Sequence, residues 1–127
     1  DMAAAGRTFD VVVLDPPKLI RSRAELEEGT RKHFDLNRLA MRLVAPGGIM
    51  LTCTCAGLLT SEEFLRMIYA SARQAGREVA PANAERGARH APRHVQILHK
   101  WGASPDHPIA TNCPETEYLQ AAFMRVL

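Results

Sequence analysis

Apolar positions in this chain alternate between short continuous runs and helical stripes. Val11, Val12, Val13 and Leu14 follow one another without a polar break. Such a run suits a strand buried on both faces, as in a parallel sheet. Beyond Lys18 the chain turns polar and rich in Arg and Glu, and then Leu36, Leu39, Ala40, Leu43 and Val44 recur at helical spacing. That spacing predicts a helix within about Ala24 to Val44 with one apolar face. Ala45-Pro46-Gly47-Gly48 reads as a breaker, and Ile49 to Thr54 as a second strand. Thr60-Ser61-Glu62-Glu63 has the form of a helix start, a capping hydroxyl followed by acids in the first turn. Phe64, Ile68, Ala72 and Ala75 supply the buried stripe of that helix, and Gly76 fits its C-terminal cap. Strand, helix, strand, helix implies a right-handed parallel α/β unit.

The remainder is less regular. Glu78 to His94 is rich in Ala, Arg and His and reads as a loop. Val95 to Trp101 reads as a third strand, Ser104 to Pro114 as a Pro-rich loop, and Tyr118 to Leu127 as a final strand. No internal repeat is visible.

Composition narrows the class. The chain has 127 residues, enough for one domain with a single core. It is 46% apolar and 24% charged, ordinary for a globular protein, and its net charge of +2 does not by itself argue for nucleic acid. No apolar run approaches the ~20 residues of a membrane span, and the N-terminus has no signal-peptide pattern. Three cysteines without a regular framework argue against a disulfide scaffold and for a reducing, cytoplasmic setting. The chain opens at Asp1 without Met, so a fragment of something longer is expected.

The candidate chemistry lies where two predicted strands end. Ligands of open α/β sheets bind beyond the carboxyl ends of the strands. Asp15-Pro16-Pro17-Lys18 sits at one such end and Cys53-Thr54-Cys55 at the next. Proline fixes φ and removes a donor, so Pro16 and Pro17 make a stiff turn. Asp15 then offers a carboxylate, and Cys55 a possible nucleophile, across one cleft. A plain strand stop and a small packed cysteine are the bland readings of the same residues.

In their order, FDVVVLDPPK, LVAPGGIMLTCTCAG and the tail GASPDHPIATNCPETEYLQ resemble the C-terminal half of class I S-adenosylmethionine-dependent methyltransferases. The nearest group is the bacterial family that makes 5-methylcytosine in large-subunit ribosomal RNA. The resemblance implies the fold class, a Rossmann-like α/β half-sheet of strands four, five, seven and six side by side with seven antiparallel. It implies S-adenosylmethionine as cofactor and ribosomal RNA as substrate. Asp15, Pro16 and Pro17 match the motif beside the cofactor's methyl group and the target base. Cys55 matches the cysteine nucleophile of carbon-5 pyrimidine methyltransferases, Cys53 matches no catalytic position and is expected to pack, and Cys113 has no assigned role. Lys18, Arg21 and Arg23 fall along the substrate path, with Arg31, Lys32, His33 and Asp35 on the helix that follows.

The chemistry explains the thiol. Carbon 5 of cytosine is a poor nucleophile; thiolate attack on carbon 6 makes it enamine-like, so that it takes the methyl group from sulfonium. Loss of the carbon-5 proton then releases the enzyme. Asp15 is the carboxylate expected to hold the protonated ring nitrogen. The thiolate needs a lowered pKa, and the positive end of the helix starting near Thr60 is a candidate source.

Other clusters carry less. His90, His94 and His99 suggest a metal, but Pro92 intervenes and no acidic third ligand is suitably spaced, so no metal site is expected. Arg86, Arg89, Arg93 and Lys100 beside Trp101 form a basic cluster able to meet RNA phosphates, or a solvated loop. This segment also departs from the family pattern, in which the Gly76 turn leads quickly into the next strand. Asp106-His107-Pro108 reads as a loop over the sheet's end; pairing His107 with Cys55 as a hydrolase lacks a third, orienting group. The chain has no Gly-x-Gly pattern, so the cofactor-gripping half and the family's N-terminal RNA-binding domain are expected to be missing and the fragment inactive alone. The strand at Val11 to Leu14 would then be a bare edge, inviting self-association. Two alternatives stay open: an amino-group methyltransferase using the Asp-Pro-Pro carbonyls, and a non-catalytic RNA-binding module on the same fold.

Overall fold

The computed structural model describes residues 2–3, 5–78, 93–113 and 116–127. Its elements are β1 (Phe9–Leu14), a 3-10 turn (Arg23–Glu25), α1 (Leu26–Leu43), β2 (Val44–Thr54), α2 (Ser61–Glu78), β3 (Val95–Trp101) and β4 (Gln120–Val126). The four strands form one sheet in the order β1-β2-β4-β3. β1 and β2 are parallel, joined through α1, and β4 runs antiparallel to both neighbours. This is the strand order that the sequence motifs imply.

Both helices contribute to one core with the sheet. Met50, Met124 and Val126 meet Met41, Phe64, Ile68, Ala72 and Ala75 there, each almost fully buried. The pleat therefore splits β1: Val12 and Leu14 pack against the core, whereas Val11 and Val13 are 62% and 63% exposed. The expectation that this run is buried on both faces is corrected: among the described residues the helices cover only one face.

Local chemistry accounts for the element ends. Thr60 and Glu63 form a reciprocal capping box: the Glu63 amide donates to Thr60 Oγ1 at 3.2 Å and the Thr60 amide to Glu63 Oε2 at 2.9 Å. Helix α2 continues through the buried Gly76 to Glu78, so Gly76 is an interior residue and not the cap. Pro46, Gly47 and Gly48 do not separate α1 from β2. They lie inside β2, where the register jumps: Phe9 pairs with Val44, and Val11 next pairs with Ile49. Gly47 takes φ +78°, and a Cβ on Gly48 would lie 3.0 Å from the Asp10 carbonyl oxygen, so a bulge of small residues replaces the expected break.

Gly29 sets the position of the segment after β1. The chain from Asp15 to Ile20 has no regular structure, yet Ile20 is almost fully buried. It reaches α1 because Gly29 has no side chain: a Cβ there would lie 2.6 Å from the Leu19 carbonyl oxygen and overlap Ile20 Cγ1. Backbone cannot yield as a flexible side chain can. Gly29→Ala is therefore expected to cost about 1–3 kcal/mol although alanine is the better helix former, and urea denaturation should show a lowered midpoint with unchanged slope.

Candidate active site at the carboxyl ends of β1 and β2

Leu14 pairs with Thr52 in the last step of the parallel ladder. Asp15 then leaves the sheet beside Cys53, while β2 continues through Cys53 and Thr54 against β4. Asp15 is exposed, Pro16 half-buried, and Pro17 and Lys18 exposed. The Lys18 ammonium stands 5.8 Å from the centre of the Tyr118 ring, within cation–π range. Tyr118 also abuts the loop after β2, where a Cβ on Gly57 would lie 3.3 Å from Tyr118 Cβ. Three segments thus converge: the Asp-Pro-Pro-Lys tip, the Cys55–Gly57 loop and the lead-in to β4. The sequence reading missed Tyr118. Its signal was an aromatic residue at the start of the predicted final strand, which the sheet order already placed beside β2.

Two cysteines at this end differ in setting. Cys53 lies within the ladder, paired with Ala121, and burial, with the Asp15 carboxylate second, pushes its thiol pKa up. It stays protonated near neutral pH, in keeping with a packing residue. Cys55 lies past the last strand residue and is half-buried.

Beneath Cys55 is a buried polar network that the sequence reading did not foresee. The Ala56 amide donates to Thr54 Oγ1 at 3.1 Å, and Thr54 Oγ1 shares a 3.2 Å hydrogen bond with His33 Nε2. One step back, the Thr52 hydroxyl donates to Asn37 Oδ1 at 2.8 Å, and Asn37 Nδ2 donates to the His33 carbonyl at 2.9 Å. All four side chains are buried, His33 at 1% exposure. His33 was expected on a basic surface with Arg31 and Lys32; it is instead a core residue facing β2. The apolar stripe is corrected with it: α1 buries Gly29, His33, Asn37, Ala40 and Met41, whereas Leu39 is 40% exposed.

The basic residues separate. Lys18 and Arg21 line a cleft of about 290 Å³ with Pro17, Glu25, Glu28 and Lys32. Lys32 pairs with Glu28 at 2.6 Å, and the Arg21 backbone amide donates to Glu25 Oε2 at 2.9 Å. Arg23 lines a different groove, between α1 and α2. The N-terminus of α2 is occupied by the Glu63 carboxylate, whose own pKa is lowered by hydrogen bonds from Thr60. That carboxylate offsets part of the positive potential that the helix end would otherwise present towards Cys55.

In the later segment, Arg86, Arg89 and His90 lie outside the described residues. Arg93 caps a helix: its guanidinium donates to the Met41 carbonyl at 2.5 Å, at the end of α1. Lys100 and Trp101 line a cleft of about 420 Å³ with Gly57, Ser61 and Gln120, and His99 packs edge-on against Trp101. Ser104 donates to Asp106, which also meets His107 Nδ1 at 3.1 Å, making an exposed self-bonded turn. Among the described residues no cluster of three His, Cys, Asp or Glu could hold a metal, and no helix is long and apolar enough to cross a membrane.

No family model matches the chain. Two curated relatives named ribosomal RNA large subunit methyltransferase I align with it almost throughout. That of Pseudoalteromonas atlantica is 37% identical over 127 residues, 100% of this chain and 28% of the relative. That of Tolumonas auensis is 39% identical over 122 residues, 96% of this chain and 27% of the relative. A solved structure described as a methyltransferase complexed with SAH superposes at TM-score 0.63 and 15% identity, over 98% of this chain and 28% of that one. A second, described as a SAM-dependent methyltransferase from Streptococcus mutans, matches at TM-score 0.63 and 14% identity, over 98% of this chain and 27% of that one. The chain spans about a quarter of the length of the curated relatives it matches. The resemblance read from the motifs is met by relatives named as ribosomal RNA large subunit methyltransferases, and the α/β methyltransferase sheet by the fold of the solved structures.

The buried His33 yields a pH prediction. Desolvation lowers its pKa from the ordinary value, which is about 6.5. As pH falls through about 6.5 the unfolded chain takes up this proton and the folded chain does not. The stability owed to a neutral His33 is complete above that pH and is lost as pH falls towards the depressed folded value. Denaturation midpoints measured between about pH 7.5 and pH 5 should fall more steeply for the wild type than for His33→Phe.

Proposed function

We propose that this chain is the C-terminal catalytic segment of an S-adenosylmethionine-dependent methyltransferase that acts on carbon 5 of a cytosine in ribosomal RNA. The observation that carries the reading is the parallel register of β1 and β2. It sets Asp15 and the Cys53–Cys55 tip side by side at the carboxyl end of the sheet, in a chain whose relatives are named ribosomal RNA methyltransferases. Cys55 is the nucleophile, and Asp15 is the carboxylate at the same end of the sheet. Pro16 and Pro17, with no N–H to offer, and the exposed Asp15 suit a cationic methyl donor. S-adenosylmethionine, when bound, supplies a methyl group on a sulfonium sulfur.

The steps for this chain's residues follow from the base's chemistry. The Cys55 thiolate forms a bond to carbon 6 of the cytosine, and the electron pair moves to carbon 5, which takes the methyl group. Asp15 holds the proton on the ring nitrogen. A base removes the carbon-5 proton, the pair returns to the ring, and the carbon–sulfur bond breaks to free Cys55. Lys18 and Arg21, which share a cleft, meet substrate phosphates; Arg23 does so from the neighbouring groove. The free cysteines suit a reducing cytoplasm. Pairing of a second copy along β1 would cover an edge that bonds only β2 among the described residues.

The test uses the complete polypeptide that carries this segment, ribosomal RNA and labelled S-adenosylmethionine. Cys55→Ala is expected to reduce incorporation by at least about 10³-fold, and Cys53→Ala to leave it within about tenfold. RNA bearing 5-fluorocytidine, which cannot lose a proton from carbon 5, should trap a denaturation-stable adduct on the wild type only. Methylation by Cys55→Ala at the wild-type rate would reject the thiol mechanism and favour transfer to an amino group. RNA binding that weakens steeply with salt, without any methyl incorporation, would favour a binding module. For the 127-residue chain alone, light scattering should give a mass above the monomer; a monodisperse monomer would reject pairing through β1.

A further inference from the structure

The buried network has a consequence for reactivity, one that rests on Cys55 being the reacting thiol. We propose that His33 is a positioning residue for Cys55, holding the Thr54 hydroxyl that in turn holds the Ala56 amide. The turn through Cys55 would thus be set by a side chain in the middle of α1.

The geometry supports each link. Thr54 is the last residue of β2 and is paired with Gln120. Its side-chain oxygen takes the amide of Ala56, two residues on, so the chain bends around Cys55 against that oxygen. Ala56 is fully buried, and its carbonyl accepts the Leu59 amide at 3.0 Å, closing the next turn. Both neighbours of Cys55 are therefore held while Cys55 itself is half-buried. A free hydroxyl rotates among its staggered positions; the contact to His33 Nε2 at 3.2 Å selects one.

A packing role alone does not account for His33. Its Nδ1 is buried with no partner among the described residues. An orphaned buried polar atom is a cost that a leucine or methionine filling the same space would avoid. What the imidazole supplies in return is Nε2 on Thr54. The pairing also tolerates little drift. His33 and Asn37 are about 6 Å apart along the helix axis, and Thr54 and Thr52 are about 6.6 Å apart along the strand. Both interlocking hydrogen bonds therefore form together, and sliding α1 would break both.

The experiment reads amide hydrogen exchange by NMR on this chain, with Cys55 alkylation followed in a Cys53→Ala, Cys113→Ser background. Thr54→Val should speed exchange at Ala56 by about fivefold or more beyond any change at the central β2 amides such as Met50. Cys55 alkylation should quicken by a similar factor, and Thr54→Ser should restore both to within about twofold. His33→Phe should act in the same direction; it decides the matter if Thr54→Val does not fold. Equal acceleration at Ala56 and Met50 would mean a general loss of stability and overturn the proposal, as would no change at Ala56 in a folded variant. Neither readout needs cofactor or RNA. An active Cys55→Ala enzyme would remove the nucleophile while leaving the exchange result standing, and unchanged Ala56 exchange would remove the positioning role whatever Cys55 does.

Discussion

The site depends on how α1 is held over β2. In a core otherwise built mainly of Met, Ile, Val, Leu, Phe and Ala, two side-chain hydrogen bonds link helix and strand among the described residues: Thr52 donates to Asn37, and Thr54 shares one with His33. Apolar contacts fix how close the helix lies but tolerate sliding, because dispersion is weakly directional. A hydrogen bond whose partners are both buried is not tolerant, since losing it strands two desolvated groups. The polar pair therefore sets the helix's position along the strand. Everything downstream inherits that register, including the Gly29 contact that seats Ile20 and with it the segment after Asp15.

The two halves of the candidate site are made stiff by different means. On β1 the means are local: two consecutive prolines restrict the backbone, and Ile20 anchors the segment against Gly29. On β2 they are nonlocal, with His33 lying 21 residues before Thr54. A local device is readable in a sequence, and a nonlocal one is not until the partner is known.

That difference explains what could be read in advance. The strands, their order and the helix start at Thr60 were legible because each rests on short-range chemistry or on a motif order. His33 and Asn37 were not: polar residues four apart on a helix ordinarily face water, and only β2 beneath them supplies Thr54 and Thr52 as partners. Leu36 and Leu39 looked like core for the complementary reason, being apolar at the right period, yet the helix is rotated towards its polar pair and leaves Leu39 exposed. The glycines misled in both directions. Gly47 and Gly48 break no element because small residues can bulge within a strand, and Gly76 ends no helix because it is buried inside one. Arg93 was legible only as a positive charge, its use at the end of α1 being a tertiary contact.

Where β2 ends also separates the two cysteines. Residues two apart on a strand share a face, so Cys53 and Cys55 would be near-equivalent if the ladder continued. It stops at Thr54. Cys53 remains paired with Ala121 and beside the Asp15 carboxylate, where burial and that negative charge both oppose a thiolate. Cys55 has left the ladder, and its backbone is set instead by the Thr54 hydroxyl and the Ala56 amide. The carboxylate that sits beside the tip thus acts against one cysteine by proximity, and the turn carries the other out of the strand. In this arrangement the different settings of the two thiols follow from the position of the last strand residue, and His33 is the buried group tied to that residue's side chain.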